Sequence, residues 1–381
     1  MTHVLYAQKL SDHSGLAFTE SHLRTVFSPA GGILRDAQKA GIRTAYFFID
    51  PLLNPFAAGS RFYFEILDSG PLPNIHTYKT GAGPIHAVSD AQTLLDAGIV
   101  ELVAIFAYEP LLYSKQVYGR AAITRAMNSW LQGASLLACY NRISDQLCRV
   151  LSISTDVFAA LKDALYQNYC ATYNHLHGAE SARKERGKNL AEMGGGMFYL
   201  TDVPNPDIDF AGGIILGNDN MLTRYSKPGV RSIRVKASAH EVVPGGPAYI
   251  PLIVGGKGGI FPHLRRVFVR LECDAGIDLA QQLTAGTLLL NAYTCYPPIP
   301  IAFLLAGGFI KNLEEIPQFL AQHALTVDGG MSLARAPWNC PALSALIDMC
   351  QALRTTSQRF GLIHGNGGIG DGQGLLLLEK E

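Results

Sequence analysis

The sequence carries no excess charge of either sign: 31 Lys and Arg balance 31 Asp and Glu. A neutral chain of this kind offers neither a nucleic-acid surface nor a polybasic membrane anchor. It also has no long apolar run. The longest, residues 299–310, contains two glycines and is too short to span a bilayer. The seven cysteines (139, 148, 170, 273, 295, 340 and 350) form no CxxC pair. That excludes a zinc pattern, suits reduced thiols, and leads us to expect a cytoplasmic protein that binds no metal. The opening segment MTHVLYAQKL does not have the build of a signal peptide and reads as a first strand.

What is present is bulk and glycine. With 381 residues, 48% hydrophobic and only 16% charged, the chain can fill two domains or one large double core. The low charge and 39 glycines suggest much buried surface and an obligate oligomer. Residues 4–7 read as a strand, and 21–40 as a helix interrupted at Pro29. The run TAYFFI (44–49) reads as a buried strand; 56–66 is mixed. A helix opens at 80–84, with Ile85, Val88, Ala91, Leu94 and Leu95 on its apolar face and Gly98 at its end. Residues 102–107 are continuously apolar, as in a strand covered on both faces.

From 111 to about 205, helical patterns alternate with polar loops, including the basic run RKERGK (183–188) and a glycine joint at 194–196. Strand character returns at 207–216, and 218–229 reads as a linker. Further strands are expected at 233–237, 248–254, 266–271 and 287–291, then a helix at 340–353 and strands at 361–363 and 375–378. Strand, helix, strand, insertion, strand, and then a second similar series make an α/β layered arrangement. The two halves share pattern, not sequence.

Four stretches, in order, carry a family resemblance: KTGAGPIHAVSDAQTLLDAGIVELVAIFAYE (79–109), DIDFAGGIILGND (207–219), NAYTCYPPIP (291–300), and a C-terminal stretch holding Arg335-Ala336-Pro337 and HGNGG (364–368). The first resembles the nucleophile-helix segment of the thiolase superfamily, and the second its strand after the loop domain. The third resembles the Ser-Cys-Phe-Pro variant of its Asn-Glu-Ala or His-Asp-Cys-Phe motif, and the last its Gly-His-Pro and Cys-x-Gly-x-Gly loops. The chain looks most like the divergent acetyl-CoA acetyltransferase and sterol-carrier-thiolase branch. The first 75 residues match poorly.

The resemblance implies a five-layer α-β-α-β-α fold of two similar halves, 1–219 with a loop-domain insertion at about 111–205, and 220–381. It also implies dimers and an acyl-CoA thioester as substrate, with no separate cofactor, reached where four loops meet. Function must still be argued from the site.

Carried over residue by residue, the resemblance removes the usual Claisen pair. Thr80, or a neighbour, stands where the family has its nucleophilic cysteine at a helix N-terminus, the place where a thiol is activated. Threonine there is an N-cap, a ligand contact, or a nucleophile needing a base. Ala336 stands in place of the Gly-His-Pro histidine and cannot accept a proton; the neighbouring Arg335 can bind an anion but not act as base. Tyr293 stands at the oxyanion motif, either as a donor to the thioester oxygen or as a packed tyrosine. Cys295 is a buried small residue or a replacement nucleophile, as is Cys340 at the start of the last helix. His364 occupies the position of the second cysteine, with a pKa range suited to proton transfer, and the amides at 366–368, Gly367 and Gly368 among them, form a possible oxyanion hole. Arg183, Lys184, Arg186 and Lys188 fall in the loop domain, and Arg224, Lys227 and Arg231 near the CoA entry, where they can pair with phosphates or simply face solvent.

The expected function is binding of acyl-CoA or a related thioester with carbon–carbon bond chemistry, acyl transfer (transferase) or retro-aldol cleavage (lyase), in lipid metabolism. The alternative is a degenerate subunit. In either case the expected partner is a second copy, an active thiolase-like chain or a small OB-type protein.

Overall fold

The computed structural model describes residues 1–14, 18–53, 67, 75–182, 186–190, 196–226, 229–256 and 259–381. The mixed segment expected at 56–66 lies outside them.

The strands are β1 (Thr2–Asp12), β2 (Thr44–Ile49), β3 (Ile75–Tyr78), β4 (Leu102–Pro110), β5 (Asp209–Gly217), β6 (Ile233–Val242), β7 (Gly255–Gly256), β8 (Gly259–Ile260), β9 (Leu288–Asn291), β10 (Phe360–Gly367) and β11 (Gly372–Lys380). Apart from the small β7–β8 pair they form one sheet in the order β3-β2-β4-β5-β1-β6-β11-β10-β9. Its waist is narrow. Strand β1 lies along β5 from His3 to Asp12, yet touches β6 only through Thr2↔Val235 and His3↔Arg234. The sheet therefore works as two, one of five strands and one of four.

The alternation of side chains on these strands builds the layers. On β4, Val103, Ile105 and Ala107 face the middle, while Leu102, Ala104 and Phe106 face the helix Glu20–Lys39. On β10 and β11, Ile363, Leu376 and Leu378 face the middle, and Leu362, Leu375 and Leu377 face outward. Two helices fill the middle, Gly83–Asp96 and Pro341–Thr355, and each touches strands of both halves. Helices Pro262–Ala275 and Pro298–Ala306 close the far side. The result is α-β-α-β-α. The insertion is mostly helical, and its helices Leu136–Leu151 and Thr155–His177 join the core of the C-terminal half.

Glycine brings the N-terminus of the helix Gly83–Asp96 against the β10–β11 hairpin. A Cβ at Gly365 would lie 3.2 Å from Ala82 Cα and 3.1 Å from Ile85, and one at Gly374 would lie 3.0 Å from Ile85. Larger residues at these two positions would push the helix, and with it the candidate site, off the sheet.

Several local expectations are corrected. Residues 266–271 alternate like a strand but lie in the helix Pro262–Ala275. Leu264, Val267, Phe268 and Leu271 share its buried face, and Pro262 occupies its first turn, where its missing N–H costs nothing. Residues 248–254, also read as a strand, hold the helix Ile250–Val254, with Pro251 in its first turn. The expected linker at 218–229 contains the helix Asp219–Tyr225, which Asn218 caps by accepting from the Met221 amide. Pro29 does not interrupt its helix, which runs from Glu20 to Lys39.

Candidate active site

A cavity of about 600 Å³ opens where four chain segments meet, and the segments are those carrying the sequence motifs. Thr80 and Gly81 precede the first central helix; Tyr293, Cys295 and Tyr296 follow β9; Ala336 to Asn339 precede the second central helix; and Asn366 to Gly368 end β10. The insertion adds Trp130, Leu136 and Tyr140 to the wall, and Leu52, Val242, Met331 and Asp371 also line it. The chain has only two tryptophans, and both Trp130 and Trp338 line this cavity. Among its described lining residues Lys79 is the only Lys or Arg.

Thr80 is held at φ 107°, a backbone conformation that costs a β-branched residue energy and clusters at functional sites. It is not the helix cap: the N-cap is Ala82, with no side-chain bond. The Thr80 hydroxyl instead points toward β10, 2.9 Å from where a Cβ at Gly367 would sit. Beyond it, the amides of Gly81 and Ala82 donate to no acceptor among the described residues. They are free donors at the positive end of a helix, and Gly81 faces the cavity.

The Tyr293 hydroxyl lies over Gly81, where a Cβ would come within 2.1 Å of it. It has no hydrogen-bond partner among the described residues, and burial raises its pKa well above 10. A neutral phenol that is dry on its ring and free at its tip is a ready donor. Cys295 lines the same wall, but burial pushes its thiol up to about 12, so it is not a thiolate at neutral pH.

His364 lies one layer back from the cavity and is fully buried, its ring stacked on Phe303 at 5.1 Å. Its Nδ1 accepts from the Tyr293 amide at 3.4 Å, and its Nε2 is 2.7 Å from Gln373 Oε1. Gln373 Nε2 donates to Asn366 Oδ1 at 2.6 Å and to the Gly370 carbonyl at 2.9 Å. Asn366 Nδ2 donates to the Tyr140 hydroxyl at 3.1 Å, which also lies 3.6 Å from the Cys295 thiol. Burial lowers the His364 pKa to about 4.

Ala336 lines the cavity and offers no base. Cys340 sits behind it, at the N-cap of the second central helix, and is fully buried. Burial and the adjacent Glu109 carboxyl hold its thiol well above 9. Glu109 is itself a cavity-wall anchor: its Oε1 accepts from the Leu52 amide and its Oε2 from the Asn339 amide, both at 2.9 Å.

The arginines lie elsewhere. Arg335 donates to the Asp207 carbonyl at 2.5 Å. Arg186 pairs with Asp202 and with Asp163 and lies over the Tyr166 ring. Arg224 pairs with Asp36 at 2.8 Å. Arg183, Lys184 and Lys227 lie outside the described residues. Sequence reasoning did not single out Tyr140, Glu109, Trp130 or Trp338, and it named Asn366 for its backbone amide but not for its side chain. No group of three His, Cys, Asp or Glu among the described residues is placed to hold a metal ion, and none of their helices is long and apolar enough to cross a membrane.

Two central helices between two sheet halves, with four loops converging at one helix N-terminus, make a thiolase-like fold. The comparisons agree on the fold. A monomeric SCP2-thiolase like protein type 1 from Mycobacterium smegmatis superposes with a TM-score of 0.69 at 13% identity, covering 100% of this chain and 77% of its own. The chain of an Ltp2-ChsH2(DUF35) aldolase gives 0.67 at 14% identity, covering 100% and 97%. Human mitochondrial 3-ketoacyl-CoA thiolase gives 0.68 at 10%, covering 100% and 99%. No protein-family model matches the chain, and no curated protein matches it.

Proposed function

We propose that this chain binds acyl-CoA or a related thioester in the 600 Å³ cavity and cleaves a carbon–carbon bond by retro-aldol chemistry. The observation that carries the reading is the Tyr293 hydroxyl, free at its tip, facing Gly81 at a helix N-terminus, in a cavity whose one cysteine is held protonated. A Claisen or acyl-transfer route needs a thiolate and a base, and the matching positions hold Thr80 and Ala336. A retro-aldol forms no acyl-enzyme and so needs no thiolate, and the one proton it must take from the β-hydroxyl passes to Tyr293.

In this reading the thioester oxygen sits by the free amides of Gly81 and Ala82. The β-hydroxyl of a β-hydroxyacyl thioester loses its proton, its C–O bond becomes a carbonyl, and the Cα–Cβ pair moves onto the α-carbon as an enolate. Tyr293 gives a proton to that carbon and recovers one from the β-hydroxyl, so the phenol ends unchanged. Oxyanion donors of this kind are worth about a hundredfold or more in rate each. His364, with both ring nitrogens engaged, acts here as a positioning residue.

The name of one structural neighbour, an Ltp2-ChsH2(DUF35) aldolase, couples an aldolase with a DUF35 protein. A DUF35-type or second thiolase-like partner is accordingly our choice of partner for this chain. A catalytically silent subunit is the second reading, favoured by Ala336.

The test is direct. Incubation with acetyl-CoA followed by intact mass should show no covalent adduct; an acylated cysteine would sink the proposal. Calorimetry with acetyl-CoA should show binding, and silence at millimolar ligand leaves only the subunit role.

A further inference from the structure

The buried network behind the cavity has a direction, and the direction ends at Tyr140. Two backbone groups that cannot change roles set it. The Tyr293 N–H is always a donor, so His364 Nδ1 must be an acceptor. A neutral imidazole then carries its proton on Nε2 and donates it to Gln373 Oε1. The Gln373 amide is thereby oriented, and the Gly370 carbonyl, always an acceptor, confirms the orientation from the other side by taking a bond from Nε2. Gln373 Nε2 also donates to Asn366 Oδ1, which leaves Asn366 Nδ2 as the donor to the Tyr140 oxygen. The Cys295 thiol lies 3.6 Å from that oxygen, and Asn366 Nδ2 also reaches its sulfur at 3.8 Å. With Asn366 donating to it from behind, the Tyr140 oxygen keeps its own proton to give, and Tyr140 lines the cavity.

The geometry points to Tyr140 as a hydroxyl donor to the thioester oxygen, alongside the Gly81 and Ala82 amides, with His364, Gln373 and Asn366 as the positioning residues that turn its proton toward the substrate. The assignment rests on the thioester reading above. It gives the insertion a chemical role: Tyr140 stands on the helix Leu136–Leu151, while the rest of the relay stands on or beside the C-terminal hairpin. It also accounts for a buried histidine with no access to substrate. Its task is to choose a tautomer. The network is fully satisfied, as a buried polar chain must be to be tolerated, and its members polarise one another.

Two substitutions isolate the direction. Tyr140→Phe removes the donor and keeps the ring that stacks on Tyr296 at 3.9 Å. Asn366→Asp keeps the shape but replaces the amide donor with an acceptor, so the Tyr140 proton turns back toward residue 366. The probe is acetoacetyl-CoA, whose enolate has its own ultraviolet band. On wild-type protein the band should grow on binding, as the α-proton leaves to solvent and the oxyanion is held. In both variants the enolate fraction should fall by about ten- to a hundredfold, the worth of a hydrogen bond to a charged oxygen. Affinity for CoA itself should stay unchanged.

Nitrogen-15 NMR of histidine-labelled protein reads the relay without any ligand. His364 should show a bare Nδ1 and a protonated Nε2 across neutral pH. A protonated Nδ1 would overturn the relay. An enolate band that survives both substitutions would overturn the Tyr140 assignment alone. Failure of acetoacetyl-CoA to bind the wild type would overturn the thioester reading on which the assignment depends.

Discussion

The Tyr293 hydroxyl occupies the space where residue 81 would carry a side chain: a Cβ there would fall 2.1 Å from the oxygen and 2.4 Å from the Asn366 carbonyl. Glycine at 81 is therefore the condition for the tyrosine to reach the helix N-terminus. Gly81→Ala should displace the phenol by about an ångström, a misplacement worth on the order of a hundredfold in rate. The measurement is kcat/KM for thioester cleavage alongside a melting curve, with activity lost well before stability.

Tyr293→Phe tests the hydroxyl by itself. Nothing among the described residues bonds to it, so its loss should leave the melting temperature within a degree or so, since no buried partner is stranded. Turnover should fall by about a hundredfold or more with KM little changed, the signature of an interaction made mainly in the transition state. Equal losses in kcat and stability would mark Tyr293 as a packing residue.

The layers were legible because they depend on local signals. The apolar run at 102–107 did become a strand buried on both faces, and the glycine-flanked helix starts did become the two central helices. The motif order also placed Thr80, Tyr293, Cys295, Gly367 and Gly368 on loops that line one cavity. Period-two alternation misled at 266–271, because Val267, Val269 and Leu271 fit a strand as well as Leu264, Val267, Phe268 and Leu271 fit a helix, and the surrounding core decides between them. Tyr140 and Asn366 carried no local sign of their role. They meet across 226 positions of sequence, and only the folded insertion brings them together. Arg186 looked like a phosphate ligand because a basic run says nothing of the acidic partner, Asp202, that it meets after folding.

His364 makes stability depend on acid. Its pKa is lowered by burial from 6.5 to about 4, so the unfolded chain binds its proton first as the pH drops. Stability is fully present above about 6.5 and is lost as the pH falls from there toward 4. In urea melts at pH 7.5 and pH 5, wild type should lose more stability than His364→Gln over the same interval. A parallel shift of both proteins would refute this account.

The thiols should react in order of exposure, not of proximity to the cavity. Cys273 is exposed, whereas Cys295, Cys340 and Cys350 are buried. Burial raises Cys295 and Cys350 to about 12 and holds Cys340 well above 9. With iodoacetamide at pH 7.5, peptide mapping should find Cys273 carboxamidomethylated first and Cys295 untouched in folded protein. Rapid modification of Cys295 would reveal a thiolate in the cavity and revive an acyl-enzyme route.

Glu109 supplies the opposite slope. It is fully buried, and burial raises its pKa from 4.5 to about 7, against the opposing pull of the amide bonds from Leu52 and Asn339. The folded protein holds this proton longer than the unfolded chain does. Its contribution is thus present below about 4.5 and is lost as the pH rises through about 7. The slope is at most about 1.4 kcal/mol per pH unit. The same carboxyl ties Leu52 and Asn339, two residues of the cavity wall, and its ionised form accepts from both amides more strongly. Glu109→Gln removes the titration but presents an amide N–H to one of the two backbone donors. It should therefore be less stable at every pH, by about 1–3 kcal/mol for the stranded group, yet show a flatter dependence between pH 5 and 7. Measuring urea midpoints for both proteins across that interval separates the two effects: the offset reports the lost acceptor, and the difference in slope reports the buried proton.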